Sequence, residues 1–497
     1  MNRNKFYFLK KNKVLESKTK GFYITTSIAY TNALPHIGFA LESIQADVIA
    51  RYQRLLGKDV FFLTGTDEHG IKIVRAAEKI GKEPQEFVSE ITAQFKNLKG
   101  ALNLSSDDFI RTTDKKRHWP TVEKVWRKLK ENGDIYKKKY KGLYCVGCEV
   151  FVKERDLVNG KCPIHQKEPE RIEEENYFFR LSKYQKEIKD ILEKEKVEIV
   201  PESRKNEMLS FVEKGLEDIS FSRPRKSLKW GIPVPDDKSQ TIYVWCDALV
   251  NYLSALGYDK NSKKFKKFWA VDVHCIGKDI QKFHCVIWPA MLLSLGLPLP
   301  KKILIHGFLT VGGQKISKSL GNIIDPFGLV KKYGTDAVRY FLLREIPPTE
   351  DGDFTYEKFE KRYNSDLAGG LGNLVARVIT LAMKIKTQKL KIETLTKNPK
   401  LKKEIDKAQR NLRKRLDEFK FNEALIIIWK LISFCDEYID KEKPWQASKN
   451  QKEVISNLLF AINEMAKLLQ PFLPETSEKI LIAIKNKKSE PLFPRLK

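Results

Sequence analysis

Three short constellations in this 497-residue chain have residue types and spacings suited to chemistry. Pro35-His36-Ile37-Gly38-Phe39 follows a strand-like run, Phe22 to Ser27. It precedes apolar Leu41, Ile44, Val48, Ile49, Tyr52, Leu55 and Leu56, which repeat at helical spacing up to Gly57. A helix is therefore expected to start beside Gly38, where unpaired N–H groups and the positive dipole end attract a polyphosphate and the missing Cβ lets it approach. Lys315-Ile316-Ser317-Lys318-Ser319 lies between Gly312-Gly313 and Gly321. Glycine on both sides permits movement, and two lysines can neutralise negative charge that grows on phosphates. Cys145-x-x-Cys148 and Cys162-x-x-His165, with thirteen residues between the pairs, place four ligands on two tight knuckles able to close a tetrahedron around Zn²⁺. With all four positions filled by protein, such a site is closed and structural.

The elements that must position these groups follow an alternating pattern at first. Phe22 to Ser27, the helix after Gly38, Val60 to Leu63 and a helix around Pro84 to Leu98 read as the first half of a parallel α/β fold. The pattern then breaks into a charged segment holding the cysteine cluster and the run Glu173-Glu174-Glu175. Strand signals return in Thr241 to Val244, Val271 to Ile276 and Ile303 to His306. The expected fold is α/β, a Rossmann-like parallel sheet split by a zinc-containing insertion, followed by an all-α helix-bundle domain. Its expected boundaries are 1–114 and 229–307 for the two halves of the sheet domain, 115–228 for the insertion, 308–363 for the linking region with the lysine loop, and 364–497 for the helical domain. In that domain Leu371, Leu374, Val375, Val378 and Leu381 make one apolar stripe. Ile28, Tyr30, Asp67, Gly277 and His306 fall at or just past expected strand ends, where ligands of open α/β sheets bind, so the motifs are expected to share one cleft.

Composition narrows the partners. The net charge of +28, from 92 basic against 64 acidic residues, favours a polyanion, with a membrane surface as the other common reason. No uninterrupted apolar run of 18 residues is found, so no membrane span is expected. Met1 to Lys20 reads as a short basic tail rather than a secretory signal or transit peptide. Seven cysteines, three of them in the metal-like cluster, argue against a disulfide framework and for a reducing cytoplasm.

In their order and separation, the His36 and Lys315–Ser319 motifs resemble the HIGH and KMSKS motifs of class I aminoacyl-tRNA synthetases. Ile24-Thr25-Thr26-Ser27-Ile28-Ala29-Tyr30, Thr64-Gly65-Thr66-Asp67-Glu68-His69-Gly70, Val244-Trp245-Cys246-Asp247-Ala248, Cys275-Ile276-Gly277-Lys278-Asp279-Ile280 and Phe283-His284 resemble the methionyl-tRNA synthetase family. So do Asn373-Leu374-Val375-Ala376-Arg377 and Lys443-Pro444-Trp445, and only about the first twenty residues lie outside the likeness. The resemblance implies ATP and its Mg²⁺, L-methionine and tRNA(Met), initiator and elongator, as ligands. It implies catalytic roles for His36, Lys315 and Lys318, and ATP contacts from His36, Gly38, Gly277, Asp279, Leu309, Lys315 and Lys318. It places methionine against Ile28, Tyr30, Asp67, Trp245, Ala248, Leu249, Tyr252, Ile280 and His284, gives Asn373, Arg377 and Trp445 to the anticodon, and matches the zinc knuckle of one subgroup.

Departures from the pattern are Phe39 for the second HIGH histidine, Leu249 for proline and Asp436 for asparagine. His36 as a backbone-satisfied helix start and Asp279 as a helix cap are the bland alternatives. The rival functions are another class I synthetase or a noncatalytic tRNA-binding module. A monomer is the default expectation, because no appended oligomer-forming domain follows.

Overall fold

The computed structural model describes residues 21–147, 150–152, 154–163, 166–316, 321–384, 398–446, 450–486, 488 and 490–496. The basic tail, Cys148, His165 and Lys318 lie outside the described residues. In the first part of the chain β1 (Phe22–Tyr30), α1 (Ile37–Leu55), β2 (Val60–Asp67), α2 (Ile71–Glu78), α3 (Pro84–Ala101), β3 (Asp108–Arg111) and α4 (Trp119–Glu131) alternate as expected. The insertion supplies β4 (Ile135–Cys145), β5 (Val150–Val152), β6 (Glu170–Phe179), α5 (Gln185–Glu193), β7 (Glu198–Val200), α6 (Glu202–Glu213), β8 (Ile219–Ser220) and β9 (Ser222–Pro224). Then come β10 (Pro233–Val234), β11 (Asp237–Ile242), α7 (Val244–Leu249), α8 (Asn251–Ser254), α9 (Lys263–Phe268), β12 (Val273–Gly277), α10 (Trp288–Ser294) and β13 (Lys302–His306).

Six strands form the main sheet in the order β3-β2-β1-β12-β13-β7, with β1 parallel to β2 and β12, β2 to β3, and β13 to β7. β1 and β2 are rich in β-branched and aromatic residues and largely buried, as strands covered on both faces require. One expectation is corrected. Thr241 to Val244 is not a strand of this sheet: Asp237–Ile242 pairs antiparallel with β9 and β10 in a separate sheet, and Val244 opens a helix. The insertion also supplies three-residue β7, which forms one edge of the main sheet. The cysteine-bearing β4 pairs with β5 and β6, and Lys139 and Lys141 face Glu175 and Glu173 across the strands, which explains the acidic run by charge complementarity.

The second part runs through β14 (Leu309–Val311), β15 (Gln314–Lys315), α11 (Pro326–Tyr333), α12 (Thr335–Arg344), β16 (Gly352–Phe354) and α13 (Tyr356–Arg362). It ends in α14 (Asn373–Lys384), α15 (Pro399–Asp417), α16 (Phe421–Glu442), α17 (Gln451–Leu469) and α18 (Pro474–Asn486). The chain divides into two compact units. One is the described residues of Met1–Pro35, Gly57–Asn97 and Ser106–Ile305; the other is His36–Leu56, Leu98–Ser105 and the described residues of His306–Lys497. The helix opened by the His36 motif thus belongs to the second unit. Leu371, Leu374, Val375 and Val378 of the expected stripe are buried, while Ile379 and Ala382 join them in place of half-buried Leu381.

One described helical stretch, Tyr356–Lys384, contains an 18-residue window of mean hydropathy 1.2, long and apolar enough by that measure to cross a membrane. Its buried Leu367, Leu371, Leu374 and Val378 account for the apolar character as packing inside the helical unit.

Candidate active site

In the first unit, the expected amino-acid contacts gather at the carboxyl ends of β1, β2 and β12 and on the short helices α7 and α8. Tyr30 ends β1 in register with Asp67, which ends β2, and Gly277 ends β12. Ile28 and Tyr30 are half-buried, whereas Asp67, Ala248, Leu249, Tyr252 and His284 are buried. His284 Nδ1 lies 3.1 Å from the Ile280 carbonyl, so that nitrogen carries the proton and donates. Nε2, 2.7 Å from Tyr252 Oη, then accepts from the tyrosine hydroxyl. Trp245 stacks on Phe283 with centroids 3.5 Å apart and planes 10° from parallel. The result is an apolar wall with few, oriented polar atoms. His274 packs against Tyr252 at 4.3 Å and meets Thr25 Oγ1 at 2.7 Å. Burial first, and the neighbouring His284 second, push its pKa well below the ordinary value, so it is neutral at pH 7.

The Asp67 segment is held by groups that the sequence reading did not single out. Glu68 is fully buried and accepts from Thr66 at 2.6 Å, Thr92 at 2.7 Å and Arg111 at 2.7 and 2.9 Å. Trp230 donates to the Glu68 carbonyl at 2.6 Å. Asp247 sits between His69 Nδ1 and His118 Nε2, each at 2.6 Å, and His118 Nδ1 meets Ser254 at 2.9 Å. Burial raises the Asp247 carboxyl, but the two imidazoles outweigh it and hold it below the usual carboxylate range. Both motifs were visible in the chain; the 178-residue link between His69 and Asp247 was not.

A second feature of this unit is a cavity of about 940 Å³ walled by the insertion sheet and by Trp245 and Phe283. On its lining, the Arg223 guanidinium lies 4.7 to 4.8 Å from the rings of Tyr144, Phe151 and Tyr243. Cys145 and Cys162 are both buried thiols; Cys145 ends β4 and Cys162 sits in a turn closed by Gln166 N–H to its carbonyl at 2.8 Å. Their partner positions, Cys148 and His165, lie outside the described residues, and no group of three metal-ligating side chains occurs among the described residues.

In the second unit, His36 is the N-cap of α1, with extended backbone, and its Nδ1 accepts from Gly38 N–H at 3.1 Å. This part of the bland alternative is correct, and it has a chemical consequence. Burial lowers the His36 pKa, so the ring is neutral; with Nδ1 accepting, the proton resides on Nε2 as a donor. A Cβ on Gly38 would lie 2.9 Å from His36 Cε1 and 3.0 Å from Nδ1, so glycine is needed here to seat the imidazole. Phe39 continues the first turn, its N–H bonded to the His36 carbonyl at 3.0 Å.

Leu309 is buried in β14 and Lys315 is exposed in β15. Gly312 and Gly313, at φ 59° and 75°, make the two-residue turn between these strands, and Asp353 accepts from Gly313 N–H at 2.7 Å. These glycines are thus a hairpin turn. The base of the following loop is tied by Asn322 to the Lys315 carbonyl at 3.0 Å. Asp279 is exposed in a single 3₁₀ turn that follows Gly277.

Farther along the second unit, Asn373 is exposed at the start of α14 and Trp445 is 51% exposed after α16. Arg377 donates to Asp436 at 3.2 Å and to Asp440 at 2.9 Å. Burial raises the Asp436 carboxyl, Arg377 pulls it back, and Asp440 adds to the rise.

A family model described as tRNA synthetases class I (M) matches residues 22–171 and 152–379, and one described as the anticodon-binding domain of tRNA ligase matches 399–494. The chain is 47% identical over 470 residues to a methionine–tRNA ligase of Thermotoga maritima, covering 92% of this chain and 74% of that protein. It is 44% identical over 475 residues to one of Nostoc sp., covering 93% and 89%. The structure of Mycobacterium tuberculosis methionyl-tRNA synthetase in complex with methionyl-adenylate matches with a TM-score of 0.87 at 40% identity, covering 93% of both chains.

Proposed function

Because the chain belongs to the methionyl-tRNA synthetases of class I, we propose a division of labour among its residues for the reaction it performs. That reaction is ATP-dependent activation of methionine to methionyl-adenylate, followed by transfer to the 3′ end of tRNA(Met). The amino acid's carboxylate attacks the α-phosphorus, pyrophosphate leaves, and a ribose hydroxyl of the tRNA then takes the methionyl group and releases AMP. Asp67 pairs with the amino group, and Ile28, Tyr30, Trp245, Ala248, Leu249, Tyr252, Ile280 and His284 enclose the thioether, a soft apolar chain suited to an aromatic wall. Gly38, Gly277, Asp279 and Leu309 hold ATP. His36 donates from Nε2 to phosphate, and Lys315 and Lys318 stabilise charge that grows as pyrophosphate leaves. Mg²⁺ enters with ATP, and no protein ligand for it is assigned.

Asn373, Arg377 and Trp445 meet the CAU anticodon by edge hydrogen bonds and stacking. Cys145, Cys148, Cys162 and His165 hold one structural Zn²⁺. The paired Cys-x-x-Cys and Cys-x-x-His spacing supports this, and the burial of Cys145 and Cys162 keeps their sulfurs from solvent. When bound, Zn²⁺ cross-links the knuckles and takes no part in the reaction. Metal analysis is expected to give about one zinc per chain and none in a Cys145→Ser/Cys148→Ser variant; full occupancy in that variant rules the site out. A cytoplasmic monomer completes the proposal.

The observation that carries the residue assignment is the oriented Tyr252–His284 pair beside the Trp245–Phe283 stack at the sheet's carboxyl edge. Pyrophosphate exchange with a panel of amino acids tests it: exchange is expected with methionine and much less with leucine or isoleucine. Equal rates across the panel refute the pocket.

A further inference from the structure

We propose that Asp247 is a positioning residue for the amino acid: from the far face of α7 it joins the strand end that binds the ammonium group to the helices that enclose the thioether, and so sets the length of the pocket. The proposal rests on the reading of Asp67, Trp245, Leu249 and Tyr252 as methionine contacts.

Asp247 stands two residues from both Trp245 and Leu249 on α7, and at about 3.6 residues per turn that puts it on the opposite face of the helix from them. It faces away from the wall that those two residues form. Its carboxylate meets His69 Nδ1 through Oδ2 and His118 Nε2 through Oδ1, each at 2.6 Å, and all three side chains are buried. An ionised carboxylate only accepts, so both rings donate to it.

Each imidazole fixes a different segment. His69 lies two residues past Asp67 and packs edge to face on Trp230, with centroids 5.6 Å apart, while Trp230 holds the Glu68 carbonyl at 2.6 Å. The ammonium end of the site is thus tied to α7. His118, at the start of α4, spends its other nitrogen on Ser254 of α8 at 2.9 Å, and α8 also carries Tyr252. The two short helices meet at Val250, and His118 spans that break. A helix as short as α8 does not hold itself, so its place depends on such ties. One carboxylate thereby fixes the spacing of the three segments that carry the amino-acid contacts. In methionine the ammonium and the sulfur are a set number of bonds apart, so a change in that spacing alters the fit to side-chain length.

The test uses the full chain and pyrophosphate exchange with methionine and with ethionine, whose thioether carries one more methylene. In the parent that methylene is expected to cost about tenfold or more. Asp247→Asn keeps the volume but turns an N–H toward one of the two imidazoles. It is expected to raise the Michaelis constant for methionine by about tenfold or more, to leave that for ATP within about twofold, and to shrink the preference over ethionine by about fivefold or more. His118→Ala is expected to act in the same direction, and the double variant to lose less than the product of the two single losses, because both cut one network. Where Asp247→Asn does not fold, Ser254→Ala, which unties only α8, decides by the same readouts with an expected rise of about threefold in the methionine constant. An unchanged methionine constant and ethionine preference overturn the proposal. So does a parallel rise in both Michaelis constants, since the network then serves only the fold. If the parent itself does not prefer methionine over leucine, the pocket reading fails and the proposal falls with it.

Discussion

At the residue scale, the most consequential contact is Gly38 N–H to His36 Nδ1, because it couples a helix cap to the tautomer of the histidine proposed to contact phosphate. The capping bond uses one ring nitrogen and thereby leaves the other as a donor. Gly38→Ala places a methyl against the imidazole, within 3.0 Å of Cε1 and Nδ1, and must turn the ring away. The expected outcome is an activation rate lower by about tenfold or more with the Michaelis constant for methionine little changed, since a lost hydrogen bond to a charged group is worth about 1.5–3 kcal/mol. Exchange kinetics at varied ATP check this, and parent-like ATP dependence contradicts it. Phe39, in the same turn, removes one donor that the related motif supplies. With the roles proposed for His36, the helix N-terminus and both lysines, an active enzyme is expected, and Phe39→His is expected to change activation by less than about tenfold.

At the scale of elements, α1 is anchored far from its motif end. Asp47 on α1 is fully buried and meets Arg339 of α12 at 2.8 Å, Arg51 at 2.7 Å, and the N–H and hydroxyl of Ser105 at 2.6 Å each. Arg339, also fully buried, donates to the carbonyls of Phe472, Leu102 and Pro471 at 2.7, 3.0 and 3.1 Å. It thus ties the segment before α18 to the helix that begins at His36. Burial raises the Asp47 carboxyl, but Arg339, Arg51 and Ser105 outweigh it and hold it below the unfolded value of 3.8. The folded state therefore binds fewer protons, so the stabilisation is present above about pH 4 and is lost as pH falls through the lower folded value. Asp47→Asn leaves two guanidinium groups without their carboxylate and is expected to cost about 3–5 kcal/mol at pH 7, with a flatter acid limb. Urea titrations of parent and variant from about pH 3 to 7 check both parts; an unchanged acid limb removes Asp47 as its source.

At the scale of the whole molecule, the proposed roles give activation and RNA recognition different side chains, and the chain's net charge of +28 suits a polyanionic substrate. Trp445→Ala is expected to remove stacking worth about 1–3 kcal/mol, lowering tRNA charging while pyrophosphate exchange continues. Equal loss of both activities places Trp445 in the fold rather than at the RNA. The charge excess further predicts that charging weakens with added salt more steeply than exchange does, because tRNA binding releases counterions. Rates across a potassium chloride series check that, and parallel salt slopes oppose it.

Much of the site was legible in the chain because its chemistry demands particular residue types at short spacing. A helix start with glycine, paired lysines between glycines, and strand ends carrying Tyr30, Asp67 and Gly277 are local patterns, and the structure places those three residues at strand ends. The periodicity of α14 likewise announced its buried face, whereas α1 is buried on every side from Ala40 to Ala50, with Glu42, Gln45 and Asp47 included. Tertiary structure decided what local period cannot encode. A three-residue strand such as β7 has too few positions to show alternation, so its place in the main sheet emerged only from pairing with β13. The same holds for Asp247 between His69 and His118, and for Asp47 beneath Arg339: each unites groups far apart in sequence, and burial makes them partners because an unpaired charge there is too costly. Residue types alone pointed to which reaction is possible and local bonds set the tautomers of His36 and His284; long-range packing decided which carboxylates, imidazoles and guanidinium groups become buried partners.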